Sequence, residues 1–325
     1  MTTALAELGN EVTFITFPTY LWHVKSRKAL LKNKYISLPG DKAVLNRTRV
    51  TYLPYSKRIP LVVKRALRKG FERSHANTLL KEKLDEYDLV VIESGKAVMA
   101  AEYINCDKII YRQSDPVEFG LDSFLGEYER KMIEKSSLTL VVNNRILDFY
   151  VSEFPKLSAK MLLWENGFVK PKTSSSSPYK KSRKNVVYFG LFPVDWEYIE
   201  ALAKSVPELD IHIIGPQRPR KLTEKNIVLH GSMSHANLIP YVEHCDLCLL
   251  TYRNNETQLQ FADKTSKLLT YMYFRKPILA SAFFGSKRLE KYGVISSSGI
   301  GDFVKKAKAL LDSKEASYEY EFDFE

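Results

Sequence analysis

The sequence predicts an α/β protein of two Rossmann-like domains, each built on a doubly wound parallel sheet. Three observations predict it. Short apolar runs alternate with helical periodicity along most of the chain, the pattern of parallel strands joined by crossover helices. The alternation is interrupted at Lys170-Pro171-Lys172-Thr173-Ser174-Ser175-Ser176-Ser177-Pro178, a linker by composition. The length, 325 residues, suits two domains of ordinary size better than one. The division that follows is an N-terminal domain over 1–168, a linker over 169–184, a C-terminal domain over 185–312 and an acidic tail over 313–325.

In the first domain strands are expected at 12–17, 50–53, 89–93, 108–112, 138–142 and 161–164, with helices at 62–84, 97–103, 124–135 and 146–154. In the second, strands are expected at 185–189, 211–214, 227–229, 247–252, 277–281 and 294–295, with helices at 196–204, 238–244, 265–274 and 301–311. Two such domains face each other across a cleft, with ligands at the carboxyl ends of the strands, so function is expected on the loops after them. The opening is unusual. Ala4-Leu5-Ala6-Glu7-Leu8-Gly9 reads as a helix end with a glycine cap, so the strand that should precede that helix is expected to be encoded upstream.

Composition excludes several classes. No apolar run approaches the ~18 residues of a spanning helix, and the start lacks the basic and apolar regions of a secretory signal. Three cysteines make no disulfide framework. Cys245 and Cys248 form a C-x-x-C inside an apolar strand, without a second pair or a His cluster, which argues for buried thiols over zinc or redox chemistry. The net charge of +11 is concentrated: residues 21–83 hold 17 Lys/Arg against 3 Asp/Glu, leaving the rest slightly acidic. Such a focused surface attracts nucleic acid or anionic lipid. No recognition-helix, RNP-like or zinc-finger signature accompanies it, which argues against nucleic acid.

Within this basic stretch, Val62, Val63, Ala66, Leu67 and Phe71 share one side of a helical wheel, and Lys64, Arg65, Arg68, Lys69 and Arg73 the other. That is the pattern of an interfacial helix, although a core-packed helix with a charged outer face shows it equally. Trp22, Lys25, Arg27, Lys28, Lys32 and Lys34 tip the balance toward an anionic membrane face.

The most informative stretch is Asp263-Lys264-Thr265-Ser266-Lys267-Leu268-Leu269-Thr270-Tyr271-Met272-Tyr273-Phe274-Arg275-Lys276-Pro277. A helix opens there on polar residues and carries Lys267 in its first turn. A cation at the positive end of a helix dipole is locally unfavourable unless an anion such as a diphosphate is bound. A solvated lysine is the plain alternative. In the first domain, Tyr111-Arg112-Gln113-Ser114-Asp115-Pro116 ends a strand with a carboxylate. Asp115 there is suited to removing an acceptor proton, or simply to capping a helix before Pro116. Glu93-Ser94-Gly95 ends a neighbouring strand and is expected to border the same face.

These residues resemble known enzymes. The 263–277 stretch is similar to the S-K-L-L-x-Y…G-K-P motif of the nucleotide-binding domain in GT-B glycosyltransferases, most specifically to the xanthan-type β-glucuronosyltransferases. Leu249-Leu250-Thr251-Tyr252, Gly190-Leu191-Phe192 and Ile213-Ile214-Gly215-Pro216 resemble the flanking donor-side segments. The likeness is most specific from about 186 to 280. It implies a GT-B fold, a UDP-sugar donor (UDP-glucuronate first) and a polyprenyl-diphosphate-linked acceptor for exopolysaccharide or a cell-surface glycan. The implied setting is the cytoplasmic face of the cell membrane, with peripheral association. It implies that Lys267 contacts donor phosphate or a sugar carboxylate, that Tyr252 lines the donor pocket, and that Gly190, Leu191, Phe192, Gly215, Ser266 and Thr270 belong to that side. The Arg-x-x-Asp context points to Asp115 as the base of an inverting transfer. This chain departs from the pattern at Thr270, where many GT-B enzymes have a ribose-binding Glu and the xanthan type an amide. No D-x-D motif occurs outside the tail, so Lys267, helix amides and Arg253 are expected to handle the leaving diphosphate without a metal or other cofactor. The alternatives left open are a UDP-sugar 2-epimerase of the same architecture and a non-catalytic subunit of a glycan-assembly complex.

Overall fold

The computed structural model of the protein describes residues 5–6, 8–15, 19–20, 35–37, 43–47, 50–51, 59–76, 84–104, 107–114, 123–168, 170–171, 173, 176–179, 182–217, 222–255, 259, 265–313 and 318–320. The chain divides into two compact units, Met1–Trp164 and Glu165–Glu325.

In the N-terminal unit the strands are β1 (Thr13–Ile15), β2 (Thr19–Tyr20), β3 (Tyr35–Ser37), β4 (Ala43–Arg47), β5 (Val50–Thr51), β6 (Val90–Glu93), β7 (Ile109–Gln113), β8 (Leu138–Val141) and β9 (Met161–Leu163). The last four form a wholly parallel sheet in the order β6-β7-β8-β9. Between them run a 3-10 helix at Lys96–Glu102 and the α-helices Phe124–Lys135 and Asn144–Glu153. The helix at 124–135 has the bounds read from its periodicity. Both α-helices open on a polar cap: Ser123 accepts from the Gly126 amide at 3.0 Å, and Asn143 from that of Ile146 at 3.0 Å.

Two expectations for this unit are corrected. The single helix at 62–84 is instead α1 (Leu61–Ala66) and α2 (Arg68–Ala76), interrupted at Leu67, where φ −93° and ψ 12° leave the helical region. Residues 77–83 lie outside the described ones. β3 and β4 pair antiparallel, and β4 joins β1 in parallel. Neither strand was anticipated. Each is short and sits among lysines and arginines, so the charge pattern masks the apolar alternation. Pro39-Gly40 between them is the turn signal that marks the pair.

The C-terminal unit is more regular. Its strands are β10 (Lys184–Phe189), β11 (Leu209–Ile214), β12 (Ile227–Gly231), β13 (Leu247–Leu250), β14 (Ile278–Ala280) and β15 (Ile295–Ser296), all parallel, in the order β12-β11-β10-β13-β14-β15. Counted within the unit this is 3-2-1-4-5-6, the order of a doubly wound dinucleotide fold. β10, β13 and β14 are buried along almost their whole length, as strands covered on both faces must be. Helices Trp196–Ser205, His235–His244, Ser266–Tyr273 and Ile300–Asp312 join them, within three residues of the expected bounds. Asp195, Ser234 and Thr265 cap the first three of these through side-chain oxygens. No helix among the described residues is long and apolar enough to cross a membrane.

Candidate active site

The strand order of the C-terminal sheet reverses between β10 and β13, which are hydrogen-bonded neighbours. In a sheet of this kind ligands enter the crevice outside the carboxyl ends of such a pair. Gly190 follows β10 and Tyr252 follows β13, and both stand at that point.

Lys267, the second residue of the helix at Ser266–Tyr273, sends its side chain into the same place. Its Nζ lies 3.8 Å from the ring centre of Tyr188 and 4.5 Å from that of Tyr252. A Cβ on Gly190 would stand 2.9 Å from the lysine Cε, so a side chain there would push the lysine tip aside. Lys267 is 6% exposed, and its Nζ has no hydrogen-bond partner among the described residues. Burial pulls its pKa well below the ordinary lysine value. A buried amine with no counter-ion is costly. The aromatic faces offset part of that cost through cation–π attraction, and an anion reaching the crevice would offset much more.

The neighbouring loops are tightly built. Gly190 (φ 138°) and Gly215 (φ 134°) hold backbone conformations that side chains rarely adopt, and a Cβ on Gly215 would meet the Gly190 carbonyl oxygen at 2.2 Å. The Gly190 amide donates to the Ile214 carbonyl, and Val194 bridges antiparallel to Tyr252. Tyr252 is buried against Phe192 and Phe283, which raises its pKa. Leu191 is 81% exposed. Arg253 and Ser266 are exposed at the rim. Thr270 is buried, and its hydroxyl donates to the Ser266 carbonyl at 2.7 Å. That hydroxyl therefore has only its acceptor lone pairs left.

At the carboxyl ends of β6 and β7 the chemistry is different. Arg112 Nη1 stands 3.1 Å from both Glu93 carboxylate oxygens. The Ser114 hydroxyl donates to Glu93 at 3.0 Å, and the Ser94 hydroxyl accepts from the Ser114 amide at 3.2 Å. Below them Tyr111 donates to the buried Glu129 at 2.5 Å. Asp115 lies outside the described residues, directly after Ser114.

The basic face is only partly as the helical wheel has it. Lys64 is 5% exposed rather than on the outer side. Arg65 and Arg68 both pair with Glu127, and Arg68 also stacks over Phe124 and Tyr128. Burial alone would raise the Glu127 pKa, but hydrogen bonds from the two guanidiniums hold it below the usual carboxylate value. Of the apolar set, Phe71 is fully buried, whereas Val62 is 79% exposed and Val63, Ala66 and Leu67 are exposed beside it. Lys69 is exposed, and Trp22 lies outside the described residues.

Sequence reasoning missed Tyr188 and Gln217. Tyr188 looks like any core strand residue until its ring is found under Lys267. Gln217 follows the Gly215-Pro216 turn, and its proximity to the donor-side glycines was the available signal.

Comparison with known proteins bears on the family and the fold. The family model described as "Glucuronosyltransferase GumK, N-terminal domain" matches residues 1–142. The UDP-glucuronate:glycolipid 2-beta-glucuronosyltransferase of Xanthomonas campestris pv. campestris is 26% identical over 218 residues, 63% of this chain and 52% of the relative. The chain thus spans about half the length of the curated relative it matches. An α,α-trehalose-phosphate synthase (UDP-forming) from Burkholderia vietnamiensis superposes with a TM-score of 0.56 at 11% identity, covering 94% of this chain and 91% of that one. Arabidopsis thaliana UGT89C1, solved with UDP-L-rhamnose, superposes with a TM-score of 0.53 at 14% identity, covering 97% and 86%. At these identities the structural likeness establishes the fold, GT-B. The resemblance to the xanthan-type glucuronosyltransferases is borne out by the family model and the curated relative together.

Proposed function

We propose that the protein is an inverting, UDP-sugar-dependent glycosyltransferase that moves glucuronate onto a polyprenyl-diphosphate-linked oligosaccharide at the cytoplasmic face of the membrane. The observation that carries this reading is Lys267, buried against two tyrosine rings with no hydrogen-bond partner among the described residues, at the point where the C-terminal strand order reverses. Such an arrangement is stabilised by an arriving anion, and a nucleotide sugar supplies a diphosphate there. The specific donor and the glycolipid acceptor follow from the relative's activity.

In this mechanism an acceptor hydroxyl attacks the anomeric carbon, the bond from that carbon to the diphosphate oxygen breaks, and UDP leaves. Asp115 takes the hydroxyl proton. Lys267 and the first amides of its helix neutralise charge on the departing diphosphate, with Arg253 at the rim. These groups supply the positive charge without a required metal. Product analysis with donor alone, and with donor plus lipid-linked acceptor, tests the reading. Transfer only when both are present supports it, and an epimerised sugar from donor alone overturns it.

Membrane association is part of the same proposal. α1 exposes Leu61, Val62 and Val63, and Leu67 just after it is also exposed, while Arg65 and Lys69 stand beside them, an apolar strip with flanking cations. Binding to anionic vesicles should therefore weaken with salt and be absent from neutral vesicles. Val62→Asp should reduce it about tenfold or more, because a charge replaces inserted apolar area. Equal binding to both vesicle types contradicts the electrostatic part.

A further inference from the structure

Gln217 stands three residues beyond the end of β11 and spends its side chain on one loop. Its Nε2 donates to the carbonyls of Gly190 and Phe192, each at 2.9 Å, and its Oε1 accepts from the Val194 amide at 3.2 Å. Both amide hydrogens and one oxygen lone pair are thus used on residues 190–194. The backbone of the loop is otherwise tied near its two ends, by the Gly190 amide donating to the Ile214 carbonyl at 2.9 Å and the Pro193 carbonyl accepting from the Arg253 amide at 2.8 Å. Tyr188 adds one contact, its hydroxyl donating to the Phe192 carbonyl at 2.8 Å.

The gripped loop forms one wall of the Lys267 pocket. Gly190, whose carbonyl Gln217 holds, is the residue that packs against the lysine Cε. Leu191, between the two gripped carbonyls, is a large apolar side chain kept in solvent at the carboxyl end of the central strand. Val194, gripped through its amide, leads into the bridge with Tyr252, the second ring beside Lys267. One side chain therefore sets the backbone on which three elements of the pocket depend.

We propose that Gln217 is a positioning residue of the donor site, fixing the 190–194 loop so that Lys267 stays in its aromatic pocket and Leu191 is presented to the nucleotide sugar. The proposal rests on the reading of this crevice as the donor site. Gln217 touches neither Lys267 nor the reacting atoms in this arrangement; it acts through Gly190, Phe192 and Val194.

Two variants separate the idea from a merely structural role. Gln217→Met keeps length and removes all three hydrogen bonds. Gln217→Glu keeps the acceptor for Val194 and removes the two donors; it serves if the first variant does not fold. Two readouts are taken on folded protein. The first needs no nucleotide: the rate of reductive methylation at Lys267, followed by mass spectrometry, with exposed Lys69 as internal reference. Lys267 should be protected in the parent and react about tenfold faster in either variant. The second is the calorimetric Kd for UDP, expected to weaken about tenfold, the equivalent of one or two lost hydrogen bonds. A lower melting temperature with unchanged Lys267 reactivity and unchanged UDP affinity would overturn the proposal. A parent that fails to bind UDP overturns the donor-site reading instead, and the methylation rates still decide whether Gln217 positions Lys267.

Discussion

At the carboxyl ends of β6 and β7, Glu93, Arg112, Ser94 and Ser114 answer one another, charge against charge and donor against acceptor. At the carboxyl ends of β10 and β13, Lys267 is buried against rings and has no partner among the described residues. The first cluster is satisfied among its own members, while the second leaves Lys267 open to the anionic donor proposed for it. A half-buried, self-satisfied polar cluster costs the free protein little. A buried, unanswered amine costs it stability and reserves that energy for an anion. The proposed division of labour follows: acceptor chemistry in the N-terminal unit, donor binding in the C-terminal unit.

The largest expected effect breaks the comparison on the N-terminal side. Asp115→Asn should lower turnover by about 10²–10⁴-fold, the range for a lost general base, while leaving donor affinity as it is. Steady-state transfer beside donor titration checks both halves. Weakened donor binding in this variant would mean that the two units have been assigned the wrong roles.

Next in size is a pH effect within the C-terminal unit that does not involve its crevice. His212 Nδ1 and His230 Nε2 are 2.9 Å apart, and His212 Nε2 is 3.2 Å from Asn185 Oδ1. Burial first, and the neighbouring His230 second, lower the His212 pKa from its ordinary value to about 4. The folded state therefore binds fewer protons than the unfolded state between about pH 6.5 and 4. Stability should be fully present above pH 6.5 and fall by roughly 2–3 kcal/mol as the pH drops through that window. Thermal melts from pH 8 to pH 4 measure it, and His212→Gln should flatten the profile. Lys267, buried but facing a ligand site, should show its effect in donor binding instead, which sharpens the contrast between a satisfied buried base and an unsatisfied one.

The smallest effect concerns the balanced cluster itself. Arg112→Met leaves Glu93, whose side chain is 45% exposed, able to recruit water. The cost should be only about 1 kcal/mol, a shift of a few degrees in melting temperature. Donor affinity should stay within about twofold of the parent, because the bonds lost are made to Glu93, within the N-terminal unit. A loss of several kcal/mol would show that the cluster is less self-sufficient than its geometry implies.

The legibility of this protein in its sequence was uneven, for physical reasons. The C-terminal elements were readable because strands buried on both faces appear as unbroken apolar runs such as Val186-Val187-Tyr188, bounded by glycine turns. Lys267 was readable because a cation in a first helical turn contradicts the dipole. Its surroundings were not, since Tyr188 reaches it, and Gln217 reaches the 190–194 loop beside it, only after the strands have been folded into order. In the N-terminal unit, β3 and β4 were hidden by surrounding charge, and α1 was misjudged because a helical wheel cannot tell which side the rest of the fold covers. Lys64 turned inward, and Val62 turned out. The likeness to glucuronosyltransferases was plainest to the eye at 186–280, where a short motif concentrates it. The family model instead matches 1–142.

The central claim is that the crevice beside Lys267 is left incomplete so that an anionic donor can complete it. Calorimetric titration of UDP-glucuronate into the parent and into Lys267→Met, with melting temperatures of both free proteins, tests this most directly. The account predicts that Lys267→Met binds donor about ten- to a hundredfold more weakly, by loss of a charge-assisted contact of about 1.5–3 kcal/mol. It predicts that the unliganded variant melts at a higher temperature than the parent, because an unpaired buried amine has been replaced by an apolar chain of similar length. Equal donor affinity in the two proteins, or a variant that binds as the parent does and melts lower, would contradict it.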